Sequence, residues 1–212
     1  MKKLSLIIAL AVVVSACSIW KTDKEISQQC TFAGVVCSDN LQALQNGIAK
    51  FCAKGGMYII KDMDSGETLE NTAVDFDENT VYETHFPKIV FANKTTPERL
   101  LNKYINLVKT SGKGLHQKLR ENVNGGTGST GRKANVENAE VYGITATTEK
   151  GSEKVVITTF LGHFKHEGKN YAYVFVMDEP KGLKQTYGWQ SAGWNVVPTA
   201  RKVIENIVRQ PL

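Results

Sequence analysis

The sequence is poor in the features that mark several protein classes. It has only five prolines, no long single-residue run and no internal repeat, which excludes a collagenous chain. Hydrophobic residues at 42% and charged residues at 22% are ordinary for a globular domain and exclude a wholly disordered one. Charge of one sign is scarce: 26 Lys and Arg against 21 Asp and Glu leave +5, and Lys2 and Lys3 fall in a removable leader. So mild and evenly spread a charge argues against nucleic acid as a partner. No Cys-x-x-Cys pair occurs, so neither a structural zinc site nor any other metal or cofactor is expected. Long apolar runs are missing too. The stretch Leu4 to Val14 is about 11 residues, whereas a spanning helix needs about 20.

That short run is informative. Basic Lys2-Lys3, the apolar stretch, and small residues Val14-Ser15-Ala16 directly before Cys17 resemble a bacterial lipobox. The pattern predicts a lipoprotein signal peptide over 1–16, lipidation of Cys17 and a polar tether over 17–38. The main domain is then 39–212, in the periplasm and lipid-anchored to the inner or outer membrane of the cell envelope. The alternatives are an ordinary signal peptide with an incidental cysteine, or an uncleaved anchor. An oxidising compartment permits a disulfide, for which Cys30 and Cys37 are the candidate pair. Cys52 reads as a small buried hydrophobe.

The periodicity gives an α+β chain. Apolar residues at 41, 44, 48, 51 and 52 predict an amphipathic helix that Gly55-Gly56 stops. Residues 57–62 and 67–71 predict a hairpin about Asp64-Ser65-Gly66, and 72–95 reads as loop. Thr96-Pro97 is an N-cap followed by proline at the first helical position, with Leu100, Leu101, Tyr104, Ile105 and Val108 as the buried stripe. A Gly-rich loop at 125–131 precedes three strands near 139–148, 154–164 and 170–178. Pro198 opens a last helix with Ala200, Val203, Ile204, Ile207 and Val208 on one face. The sum is a five-stranded antiparallel sheet with the C-terminal helix packed across it and a reduced helical insert.

An ordered train of segments carries a family resemblance. It comprises Gly126-Thr127-Gly128, Arg132-Lys133-Ala134-Asn135-Val136, Val141 to Lys150 and Thr159-Phe160-Leu161-Gly162. Val176 to Gly182, Thr186-Tyr187-Gly188 and Ala192-Gly193-Trp194-Asn195 to Pro198 complete it. Together they resemble the C-terminal part of the transpeptidase domain of class B penicillin-binding proteins, the septal peptidoglycan cross-linking enzymes. Residues 39–75 resemble the opening of the same domain. The resemblance implies a transpeptidase-like sheet with most of its helical lobe missing, because about 70 residues stand between the two blocks.

The departures concern chemistry. Transpeptidases of this kind need S-x-x-K, S-x-N and K-T-G. At the K-T-G position stand Ile144-Thr145-Ala146, followed by Thr147. Isoleucine cannot supply charge for a carboxylate, and the Ala146 methyl crowds the strand. Residues 72–140 contain neither serine motif. Ser18-Ile19-Trp20-Lys21 and Ser38-Asp39-Asn40 spell the motifs, but in the leader-proximal segment and the lead-in helix. Ser129 in the Gly-rich loop is the most plausible concealed nucleophile. His163-x-x-His166 on a strand puts its imidazoles on opposite faces and reads as hairpin surface. The Gly-rich loop lacks the G-K-[ST] of a phosphate loop. Trp189 and Trp194 could stack on sugar rings, though packing of their own loop is the better reading. The expectation is a penicillin-binding-protein transpeptidase-like envelope lipoprotein without catalytic residues; the alternative is a non-catalytic periplasmic binding or scaffold lipoprotein of an envelope assembly. Candidate partners are peptidoglycan or an envelope protein, besides the lipid anchor at the membrane.

Overall fold

The computed structural model describes residues 31–32, 35–36, 56–72, 76–86, 94–126, 129–150, 155–178 and 191–209. Thr31–Phe32 (β1) and Val35–Val36 (β2) form a short ladder inside the segment read as tether. Gly56–Asp62 (β3) and Thr68–Thr72 (β4) make the first hairpin. Its turn is held by Asp62, whose Oδ1 accepts from the N–H groups of Asp64 at 2.8 Å and Ser65 at 3.1 Å. Tyr82–Glu83 (β5) pairs with Lys94–Thr95 (β6), where loop was expected. Two-residue strands are too short to show a period of two, which is why the sequence does not reveal them.

Two helices follow. In α1 (Pro97–Thr110) the Thr96 hydroxyl accepts from the Arg99 N–H at 3.3 Å, and the expected stripe is buried throughout. The second helix, α2 (Lys113–Asn124), has no counterpart in the sequence reading: it fully buries only Leu119 and Val123, with Leu115 partly buried against the core. Then come Glu140–Lys150 (β7), Val155–His166 (β8) and Lys169–Asp178 (β9). The last helix, α3 (Val196–Val208), starts two residues before Pro198. Proline is tolerated in a first turn, where N–H groups have no helical partner. The helix expected over 41–53 lies outside the described residues.

The main sheet has five strands, all antiparallel, in the order β4-β3-β9-β8-β7. The expected architecture stands, with β7 and β4 as edges. Strand β8 is buried from Val156 to Phe164 without a break. Such a strand has cover on both faces. On one face α1 packs, its Tyr104 reaching His163. On the other lies α3, whose Thr199 hydroxyl meets Met177 Sδ at 3.9 Å. His163 and Met177 belong to opposite faces by register, since His163 pairs with Ala172 and side chains alternate along β9. No helix among the described residues is long and apolar enough to cross a membrane.

Two glycines make room for the aromatic half of the core. Gly143 and Gly162 face each other across β7 and β8, and the pair next in register is Tyr173 of β9. The Tyr173 phenol lies over both glycines and donates to the Tyr142 carbonyl at 2.8 Å. A Cβ at Gly143 would stand 2.5 Å from the Phe160 ring, and one at Gly162 would strike the Tyr142 carbonyl.

The packing makes a stability prediction. Ile204 is fully buried on α3, so Ile204→Ala should destabilise by about 2–5 kcal/mol in urea unfolding. The same truncation at Val81, 65% exposed, should cost less than about 0.5 kcal/mol.

Candidate functional site

The candidate site is the outer edge of β7, with the loop and helix that close on it. Tyr142, Ile144, Ala146 and Thr148 point to the α1 face, as His163 and Leu161 do on β8. Ile144 and Ala146 are buried, Thr145 is half-buried and Thr147 is exposed. An edge strand exposes a row of unpaired backbone groups. Here α2 covers the first part of the row. Arg120 Nη1 donates to the Val141 carbonyl and Asn122 Nδ2 to the Gly143 carbonyl, both at 2.8 Å.

A chain of hydroxyls extends this cover. Thr145 Oγ1 donates to Thr130 Oγ1 at 2.7 Å, and Thr130 donates to Asn122 Oδ1 at 3.1 Å. The Gly-rich loop is thus fastened to the strand by side chains. Further on, the Ala192 N–H donates to Thr147 Oγ1 at 3.0 Å. Because the carbonyls of Val141 and Gly143 face outward, the period of two turns the backbone N–H and C=O of Thr145 and Thr147 outward as well. No capping side chain takes these up among the described residues.

Behind the edge lies a cluster of rings. The His163 and Tyr142 rings stack at 4.4 Å, His116 meets His163 edge-on at 5.4 Å, and His163 Nδ1 shares a 2.7 Å hydrogen bond with the Tyr104 hydroxyl. Burial first, and then the nearby His116 and Lys165 charges, press the His163 pKa down to about 3. Burial raises that of Tyr104. The pair is therefore a neutral buried hydrogen bond at neutral pH. His116, Arg120 and Tyr142 open onto a cavity of about 330 Å³. No three metal-ligating side chains gather among the described residues.

The chain matches no family model. Over 100 residues it is 33% identical to the probable peptidoglycan D,D-transpeptidase FtsI of Caulobacter vibrioides, across 42% of this chain and only 17% of that protein's length. The transpeptidase domain of the FtsI4 D,D-transpeptidase from Legionella pneumophila superposes with a TM-score of 0.57 at 14% identity, covering 78% of this chain and 93% of that one. The transpeptidase domain of Burkholderia pseudomallei penicillin-binding protein 3 does so at 0.54 and 12%, covering 88% and 94%. The fold is that of a penicillin-binding transpeptidase domain.

In this transpeptidase-like domain the segment Ile144–Thr147 lies in the middle of the edge strand β7. Ser129 Oγ is buried in the Gly-rich loop with no hydrogen-bond partner among the described residues. His163 and His166 face opposite sides as expected, but neither is surface: the strand runs through both and buries them. His166 Nδ1 contacts the Asn138 carbonyl at 2.9 Å. Trp194 packs within its own protein, under the Lys133 ammonium. Cys17, Cys30, Cys37, Trp189 and the two serine-motif look-alikes lie outside the described residues.

Arg120, Asn122 and the His163–Tyr104 pair escape sequence reasoning. The spacing Leu115-Leu119-Val123 is the signal available for α2, but Gly112 just before it is a residue that ordinarily closes a helix.

The histidine yields a pH prediction. Its folded pKa lies below the unfolded value near 6.5, so the unfolded chain binds the extra proton. The stabilisation is whole above about pH 6.5 and drains away as pH falls toward 3. Between pH 7.5 and pH 5 the loss from this group is about 2 kcal/mol. The double variant Tyr104→Phe with His163→Phe, which removes both polar partners, should show a correspondingly smaller loss in urea unfolding over that interval.

Proposed function

We propose that this chain is a peptidoglycan-related envelope lipoprotein that holds cell-wall peptide along the edge of β7 and does not acylate it. The observation that carries the reading is the edge itself: Thr145 and Thr147 turn their backbone outward, while Ile144 and Ala146 on the same strand are buried. An extended peptide can add there as a further strand, with main-chain hydrogen bonds supplying affinity. Covalent acyl transfer asks for more. A nucleophile must sit within hydrogen-bond reach of its base, and an oriented electrophile beside both. Ser129, without a hydrogen-bond partner among the described residues, does not meet the first condition there.

The envelope setting is part of the proposal. The lipobox supports lipidation at Cys17 and residence in the periplasm, and Cys30 with Cys37, flanking the β1–β2 ladder in sequence, supports a disulfide. The share of FtsI that the match takes in is small, so septal cross-linking is not carried over to this chain.

Intact-mass spectrometry after penicillin treatment tests the central claim. No adduct should form, and Ile144→Lys with Ala146→Gly should not create one, because catalytic groups act as a unit and repair of one element gains little. A stoichiometric adduct in either protein overturns the reading. Lipidation has its own test: Cys17→Ser should release the protein from membranes or leave the leader uncleaved, and an acylated, processed form in that variant would refute it.

A further inference from the structure

The positive charge that reads as evenly spread along the sequence is concentrated in the fold. From Arg99 to Arg120, through α1 and most of α2, there are six Lys and Arg and not one Asp or Glu. The other 20 bases of the chain stand against all 21 acids, so the net positive charge comes from this one stretch. Arg120 is engaged by the Val141 carbonyl. The remaining five, Arg99, Lys103, Lys109, Lys113 and Lys118, are exposed and form no ion pair among the described residues. Elsewhere Lys94, Lys150, Lys165 and Arg201 each have a carboxylate.

Two contacts put both helices on the same face of the sheet. Tyr104 of α1 bonds His163 at 2.7 Å, and the His116 ring of α2 meets the same imidazole at 5.4 Å. Each helix buries its apolar stripe, so its bases stand on the outer side. Arg99 and Lys103 are four residues apart and share one side of α1. Only Ser111 and Gly112 separate the helices, which keeps the Lys109 and Lys113 ends together. The exposed residues between these bases include Asn102, Asn106, Thr110 and Gln117, and no large apolar or aromatic side chain is exposed among them. Like charges at this spacing repel, so the face is destabilising when bare and gains from an anionic surface laid against it.

We propose that the outer face of α1 and α2 docks on an anionic phospholipid surface and holds the domain against the membrane. The inference rests on the envelope-lipoprotein reading, which places the chain beside a lipid surface, and not on the peptide edge. One acyl chain binds a membrane only marginally, and a basic patch supplies the second contact that stable attachment needs. Lysines and arginines are drawn to an anionic leaflet within a Debye length, about 10 Å at 0.1 M salt. With no apolar or aromatic residue to insert, the contact is electrostatic and stays at the headgroups. The same lack of exposed rings sets the face apart from surfaces for single-stranded nucleic acid, which stack bases on aromatic side chains.

Lysine acetylation read by mass spectrometry tests this on the full chain, floated with phosphatidylcholine vesicles or with vesicles carrying about 30% phosphatidylglycerol. On the anionic vesicles, labelling of Lys103, Lys109, Lys113 and Lys118 should fall about threefold relative to phosphatidylcholine and recover at about 0.5 M salt. Lys202, exposed on α3 across the sheet, should label equally on both. Lys103→Glu with Lys109→Glu should remove the protection of Lys113 and Lys118. Flotation on both vesicles with equal labelling of the four lysines overturns the docking face and leaves the anchor standing. An equal fall at Lys202, or undiminished protection in the double variant, does the same. Flotation on the anionic vesicles alone, with the four lysines protected, keeps the face and overturns the anchor. Flotation on neither overturns both. Protection by polyglutamate but not by the anionic vesicles assigns the face to an acidic protein and overturns the lipid.

Discussion

Strands β8 and β9 are covered on both faces, and the remainder of the molecule is arranged around that constraint. Phe160, Phe164, Tyr171, Tyr173 and Phe175 lie on one side, Leu161, His163, Val174 and Val176 on the other, and all are buried. Burying a large apolar side chain contributes about 1.5–3 kcal/mol, so two layers of them in adjacent strands make the centre of the sheet the source of its stability. Each layer needs a helix, and α1 and α3 supply one each. The side chains on the aromatic face also need depth. Gly143 and Gly162 give it, since a methyl group at either position would occupy space that Tyr173 and Phe160 hold. The Tyr173 hydroxyl then finds its partner in the Tyr142 carbonyl, so even the phenol is satisfied.

Double burial imposes a polar problem on the other face, and the solution to it explains the shape of the candidate site. His163 falls on the α1 side of β8 and cannot reach water. It is kept neutral and paired with Tyr104, which ties α1 to the sheet by a specific bond in addition to apolar contact. Sheet edges pose the complementary problem, because unpaired backbone invites pairing with other chains. Arg120 and Asn122 of α2 close the first part of β7 by taking its carbonyls. The cover stops at Thr145. Among the described residues no side chain caps the backbone of the second part of the strand, and that contrast makes a stretch of edge into a candidate binding surface.

The sequence disclosed those elements whose patterns are long or punctuated. Thr96-Pro97 with its five-residue stripe, the three strands between 139 and 178 and the apolar face about Ile204 all appear in the structure. The ordered segments from Gly126 onward carried the fold resemblance, and Ile144–Thr147 were singled out on the strand that proves to be an edge. Helix α2 is faint in the sequence because its packed face is only Leu115, Leu119 and Val123 among polar residues. Arg120 and Asn122 act on backbone carbonyls of a strand 21 residues away, a relation without periodicity in either segment. His163 misled for another reason. A histidine beside a hairpin is ordinarily exposed, and only the partner supplied by α1, Tyr104, shows why this one can be buried.

Position 144 carries an apolar side chain where the resemblance would put a lysine. A lysine at a site as enclosed as that of Ile144 would have to find an anionic partner or give up its proton, because an isolated buried ammonium costs several kcal/mol. An active site accepts that strain because the charge does something. On the proposed reading nothing at the strand requires it, and a β-branched apolar residue suits a buried strand position in both conformation and transfer free energy. The same holds for Ala146, whose methyl fills space that a glycine leaves open to a ligand. Both departures from K-T-G therefore move the strand toward what its burial alone would select. The hydroxyls of Thr145 and Thr147, by contrast, remain because each has a partner, in Thr130 and in the Ala192 N–H. Side chains bonded into the loop and turn keep their identity through packing alone. Ile144 and Ala146 on the buried face have no polar side-chain atom to pair, and hydrocarbon alone meets the demand of their sites.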